Sequence, residues 1–140
     1  QSRGLGDVYK RQHYDQVVFY NTQSSKFNSI QVKNVYNYSD ARAKINIAKL
    51  NYGLNTIGKL NAVTYDFKDT EPASANLFRV GGNGKEIGLL AQEVEEVLPN
   101  VVLTDPDGNK LINYTAIIPV MIQAIKELKA EVETLKANNN

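Results

Sequence analysis

No cysteine occurs in the 140 residues, and there is one histidine, one methionine and four prolines. The missing thiols exclude disulfides, thiolate nucleophiles and cysteine-based zinc sites, and they leave the redox compartment open. A Ser-His-Asp triad would have to recruit His13 from a weakly organised N-terminal stretch. Long apolar runs are absent as well. Nothing approaches the roughly 20 residues needed to cross a bilayer, and the N-terminus has no apolar signal core, so no membrane is expected as a partner. An excess of one charge is also missing: 16 Lys plus Arg stand against 15 Asp plus Glu, a net charge of +1. That balance gives no electrostatic footprint for nucleic acid. What remains is an ordinary globular composition, 42% hydrophobic and 22% charged. A chain of this size is one domain or less and buries roughly two thirds of its unfolded surface, enough for a modest core.

Along the chain, residues 1–12 stand apart, because "DVYKRQ" (residues 7–12) looks like the translation of a sequencing-adapter end. They are expected to be a non-native leader, with the native N-terminus lying further upstream. Residues 13–38 are rich in Asn, Ser, Tyr and Val, and "VVFY" with the alternation at Ile30 and Val32 suits strands, the expected end of a β-rich body. Beyond Ser39 the texture changes. Ile47, Leu50, Leu54, Ile57 and Leu60 recur at three and four, and Gly53 and Gly58 reduce this stripe to a short or broken helix. "AVTYDFK" places Val63, Tyr65 and Phe67 on one face of a strand. Residues 69–85, with Pro72, Gly81, Gly82 and Gly84, read as a long loop or arm. "EIGLLAQEVEEVLPNVV" passes from strand into a short helix ended by Pro99, with Leu90, Val94, Val97 and Leu98 as its buried face. Pro106-Asp107-Gly108-Asn109 between "VVLTD" and "KLINY" predicts a β-hairpin.

A last helix starts near Thr115, a predicted N-cap, with Pro119 in its first turn. Its residues Ile118, Met121, Ile125, Leu128, Val132 and Leu135 are separated alternately by three and four, a heptad with Ile118, Ile125 and Val132 at a. Glu131 then falls at g and Lys136 at the following e, the spacing of an interchain ion pair. The narrow stripe, flanked by Lys126, Glu127, Lys129, Glu131 and Glu133, favours a self-associating coiled coil over residues 115–136. Fewer than three heptads are present, so an amphipathic helix lying on its own core stays in contention. β-Branched a with Leu at d favours dimers, while contacts elsewhere could impose a trimer. The expected fold class is α+β: a small mixed domain with short helices, a β-hairpin, a long loop or arm, and this C-terminal helix.

Other motifs dissolve on inspection. In "GGNGK" the lysine comes too early after the glycines for a phosphate loop, and no Ser or Thr follows it. "DPDGN" has its glycine one position early for a calcium loop and lacks the closing glutamate, so a turn is the better reading. Glu93, Glu95 and Glu96 are read as the solvated side of their short helix. Two glycosylation tripeptides, at Asn37 and Asn113, are short enough to arise by chance. No metal and no cofactor is expected.

"YSDARAKINI" is the stretch that could carry chemistry. On its residues alone, Ser39 or Asp40 is an N-cap with Arg42 and Lys44 in solvent. The sharper reading makes Ser39 and Lys44 a Ser-Lys dyad, which requires a neutral amine near neutral pH although a free lysine loses its proton near about 10.4, a difference of ~4 kcal/mol. Burial on assembly and a nearby cation, for which Arg42 is a candidate, would act in that direction.

These blocks together, "SDARAKINI", "GLNTIGKLNAVTYDF", "IGLLAQEVEEVLPNVV" and "DGNKLINYTAIIPVMIQAIKEL", closely resemble the intramolecular chaperone domain of phage tail spikes and tail fibres, the chaperone of endosialidase type. The resemblance covers residues 39–136 and implies an intertwined homotrimer, with the upstream β-rich fibre of the same chain as folding client. Such a domain is expected to release itself by cutting the bond before the motif serine. Carried over, Ser39 matches the nucleophile, Lys44 the general base, and Tyr38–Ser39 the scissile bond. Asp40, Arg42, Asn46 and Ile47 match the surrounding signature, while Ala43 stands where many members have leucine. The implied domains are residues 13–38, the end of the fibre, and residues 39–140, the auto-processing chaperone. The implied location is a virion tail fibre or spike assembled in the host cytoplasm, the cut fragment being released. A permanent end-cap of the same fold that does not cut, and a hydrolase or binder of an external ligand, are the alternatives. Within the resemblance no small-molecule substrate is expected.

Overall fold

The computed structural model describes the backbone of residues 8–11 and, in full, residues 16–68 and 85–139. The chain divides into two units, residues 1–45 and 46–140, and the composite is α+β, as its patterning predicts. The expected arm lies outside the described residues save for Lys85, and with it the "GGNG" glycines.

In the first unit, β1 (Val8–Arg11), β2 (Gln16–Asn21) and β3 (Lys26–Phe27) form an antiparallel sheet in the order β1-β2-β3. β1 belongs to the segment that the sequence reading sets aside, and it pairs with β2 from Val8 opposite Phe19 to Arg11 opposite Gln16. The turn into β3 is set by the Asn21 side chain, whose Oδ1 accepts from the N–H groups of Gln23 and Ser24 at 2.9 and 3.1 Å. Across the ladder Tyr20 meets Phe27 edge to face, ring centres 5.2 Å apart. The "VVFY" expectation thus holds, whereas Ile30 and Val32 lie exposed outside any strand. Alternation makes a segment competent for a sheet, but a strand exists only where a neighbour supplies the hydrogen-bond ladder.

The second unit is built on Val94, Leu98, Val101, Ile117 and Val120, with Leu50, Tyr52, Ile57, Leu60, Leu89, Val102, Ile112 and Ala116 packed around them. α2 (Ala91–Val97) supplies Val94, four residues ahead of its C-cap Leu98, so both fall on one helical face at 1% exposure. Pro99 cannot continue an α-helix and instead opens a one-turn 3₁₀ helix, Pro99–Val101. Leu90, expected in the buried face, is 45% exposed. It is the N-cap, in extended backbone, and so points off the helical stripe.

β6 (Val102–Thr104) and β7 (Lys110–Ile112) form the predicted hairpin. Gly108 has φ +84°, where a side chain would be strained. Asp105 Oδ1 accepts from the N–H groups of Asp107 and Asn109, both at 2.9 Å, closing the turn from within. Lys110 at its base pairs with Glu95 of α2 at 2.7 Å. β4 (Val63–Tyr65) pairs antiparallel with β5 (Glu86–Gly88).

The helical stripe from Ile47 to Leu60 condenses to a single turn, α1 (Leu54–Ile57), bounded by Gly53 and Gly58. The long C-terminal helix, α3 (Ile117–Asn138), has 22 residues. Thr115 does not cap it. A 3₁₀ turn, Tyr114–Ala116, leads in, and the Thr115 hydroxyl donates to Asn113 Oδ1 at 2.7 Å instead. Pro119 sits in the first turn, where its missing N–H costs nothing.

Candidate functional site

The site begins with a cap. Asp40 is the N-cap of a one-turn 3₁₀ helix, Ala41–Ala43, and its Oδ1 accepts from the Arg42 N–H at 2.9 Å. Ala43 N–H donates to the Asp40 carbonyl and Lys44 N–H to the Ala41 carbonyl, so the chain turns once and leaves in extended form at Lys44. This single turn brings together two side chains five residues apart: Lys44 Nζ donates to Ser39 Oγ at 2.7 Å. The cap position, Asp40, lies in sequence between the hydroxyl and the amine that the turn brings into contact.

Arg42 does not act as the free cation that its position suggested. Its Nε lies 3.1 and 3.2 Å from the two Asp40 carboxylate oxygens and its Nη2 2.7 Å from Oδ2. The guanidinium and the capped N–H hold the Asp40 carboxyl below the usual carboxylate range, and the carboxylate raises Arg42 in turn. The two charges compensate each other, leaving little net field for a neighbour.

Ser39 and Lys44 are exposed in the single chain, as is Tyr38 at 85%. Asn46 adopts φ +53°, a left-handed backbone that asparagine tolerates better than most residues. It thus has a conformational reason to occupy its place in the motif. Ile47 is exposed.

α3 carries two apolar faces. Ile117, Val120 and Ala124 are buried in the unit's own core. Ile118, Met121, Ile125, Leu128, Val132 and Leu135, the heptad set, are between 41% and 65% exposed. The helix thus lies on its core with one face and exposes the heptad stripe on the neighbouring face. Sequence reasoning missed Glu127, whose Oε2 accepts the Leu54 N–H at 2.6 Å across 73 residues of chain. No pattern announces it, for it is one of several glutamates beside the stripe.

Residues 39–103 match the family described as chaperone of endosialidase, a peptidase family. The match opens on Ser39 and closes in β6. Related proteins are phage long tail fibre proteins. The chain is 33% identical to long tail fiber protein Gp37 of Enterobacteria phage K3 over 96% of this chain and 10% of that protein. It is 37% identical to that of Escherichia phage AR1 over 75% of this chain and 9% of the relative. For Enterobacteria phage M1 the figures are 31% identity, 89% of this chain and 46% of the relative. The chain spans about a tenth of the length of the first of these relatives. With a family match that begins at the serine of the capped turn and relatives aligned along nearly the whole chain, residues 39–103 belong to the chaperone of endosialidase family.

Proposed function

We propose that the chain is an intramolecular trimerisation chaperone of a phage tail fibre or spike, which releases itself by cutting Tyr38–Ser39. The observation that carries this reading is the 2.7 Å contact from Lys44 Nζ to Ser39 Oγ across a capped turn. Neutral Lys44 takes the Ser39 hydroxyl proton as Oγ attacks the Tyr38 carbonyl carbon. The Tyr38–Ser39 C–N bond breaks, the proton passes to the leaving Ser39 amine, and an ester joins Tyr38 to Ser39 Oγ. Water then hydrolyses the ester, giving a Tyr38 carboxylate and a free Ser39 hydroxyl. The carbonyl is covalently next to its nucleophile, so effective molarity takes the place of substrate binding.

Association of three copies along the heptad stripe supplies the second requirement, a drier environment for the amine. It also brings three chains into register before the nonlocal contacts of a β-rich fibre form, which lowers the loop-closure cost of a slow topology. The upstream fibre of the same chain is the client. The place of action is the virion tail fibre, assembled in the host cytoplasm, with the fragment from Ser39 onward released. Once that fragment has left, the fibre is kinetically trapped.

A second reading, a permanent trimeric end-cap that does not cut, draws on the exposure of both side chains, since water reaches the hydroxyl and the amine alike. Mass spectrometry of the expressed protein separates the two. A fragment beginning at Ser39 in the wild type, with Ser39→Ala and Lys44→Ala both intact, supports cleavage. Intact wild-type chains in assembled trimers sink it in favour of the end-cap.

A further inference from the structure

We infer that Glu127 is a latch that ties the strap leading out of the Ser39–Lys44 turn to the helix on which copies assemble, and that it serves self-cleavage as a positioning residue. The inference rests on the proposed function for its link to cleavage and on the geometry alone for the latch.

α1 is a single turn of four residues, far too short to nucleate by itself, and its N-cap is Gly53, which has no side chain to offer the orphan N–H groups. Glu127 supplies the missing acceptor: Oε2 takes the Leu54 N–H at 2.6 Å. Its other oxygen, Oε1, accepts from Gln123 Nε2 at 3.2 Å, one turn earlier on α3, which holds the carboxylate in place. A Cβ added at Gly53 would run into the Glu127 carboxyl group, which would have to swing away from the Leu54 N–H. The backbone hydrogen bond from Leu54, then the side-chain hydrogen bond from Gln123, with a smaller contribution from the Lys49 charge, outweigh desolvation and hold the Glu127 carboxyl below its ordinary value.

Glu127 occupies heptad position c, off the a/d stripe. One helix can therefore hold the strap and meet other copies at the same time. The strap also covers the core with Leu50, Tyr52, Ile57 and Leu60. It is the covalent continuation of the turn, and nine positions separate Lys44 from Gly53. Gly53 and Leu54 are thus the first point after the turn at which a side chain of α3 holds the backbone.

The experiment uses the full chain with Glu127→Ala, Glu127→Gln and Gly53→Ala. Leu54 amide exchange is followed in a Ser39→Ala background, and fragment formation in the cleaving background, with sedimentation reporting assembly. Glu127→Ala is expected to speed Leu54 exchange by at least about tenfold and to slow cleavage, with assembly retained. Glu127→Gln, which keeps an acceptor oxygen, is expected to restore both to within a few-fold, and Gly53→Ala to behave like Glu127→Ala. Unchanged Leu54 exchange in Glu127→Ala overturns the latch. Accelerated exchange with wild-type cleavage overturns the positioning role. A wild type that never cleaves removes the proposed function instead and leaves the latch to be judged on exchange; should Glu127→Ala not fold, Gly53→Ala against Glu127→Gln makes the same comparison.

Discussion

Asp40 accepts from Arg42 twice over, from its backbone N–H at 2.9 Å and from its guanidinium Nη2 at 2.7 Å. One carboxylate thus starts the turn between Ser39 and Lys44 and neutralises the positive charge beside them. The turn needs only an acceptor, whereas the charge balance needs an anion.

Asparagine caps helices about as well as aspartate, so the two roles separate by substitution. Asp40→Asn is expected to keep fragment formation within a few-fold of wild type. Asp40→Ala, which removes the cap, is expected to slow it by about tenfold or more, since small misplacements of reacting groups are costly. A time course of the Ser39 fragment on denaturing gels reads both, and an inert Asp40→Asn would transfer the weight to charge.

The two faces of α3 should respond to different measurements. Val120 is 3% exposed, and Val120→Ala removes two buried methyl groups and leaves a cavity, a loss of about 2 kcal/mol in urea unfolding. Leu128 is half exposed, and Leu128→Asn is expected to leave single-chain folding nearly unchanged while shifting association to higher concentration in sedimentation.

Tyr114 acts through its hydroxyl, which accepts the Leu89 N–H at 2.9 Å. Tyr114→Phe removes that acceptor with little change in shape, an expected loss of about 1 kcal/mol. Faster exchange of the Leu89 amide distinguishes this cause from a general loosening of the fold.

Acid should loosen the strap. The folded Glu127 carboxyl sits below its ordinary value, while in the unfolded chain it titrates near about 4.3. The unfolded state therefore binds more protons between the two values, and stability rises with pH across that window. Glu127 contributes fully above the unfolded value, and its contribution fades as pH falls through the folded one. Glu127→Gln is expected to unfold with a shallower acid dependence than wild type in thermal scans from pH 7 to pH 3. Parallel curves would remove Glu127 as a source of the slope.

What could be read in advance follows the range of the interaction. The hairpin around Gly108, the short helix ended at Pro99 and the serine and lysine joined by one turn all depend on neighbours within a few residues, and periodicity or turn chemistry reports them directly. The heptad told of a second apolar face on α3 because it runs one residue out of step with the core contacts at Ile117, Val120 and Ala124, which keep the same three-four spacing. Pairings across long stretches of chain, Glu127 with Leu54 and Tyr114 with Leu89, left no trace. A carboxylate or a phenol that completes a distant backbone N–H looks like any other surface residue until the chain has folded. The Thr115 cap failed for a related reason, since a preceding 3₁₀ turn had already taken up the free end of the helix.

Past Glu127, every described residue of α3 is exposed and draws nothing from the core. An isolated helix shorter than about 12 to 15 residues is marginal in water, so these final turns owe their order to whatever neighbours they find. In dilution they would be the first part to fray, and in company the last to melt. The tail of the helix is thereby the part of the chain whose order depends most on its surroundings.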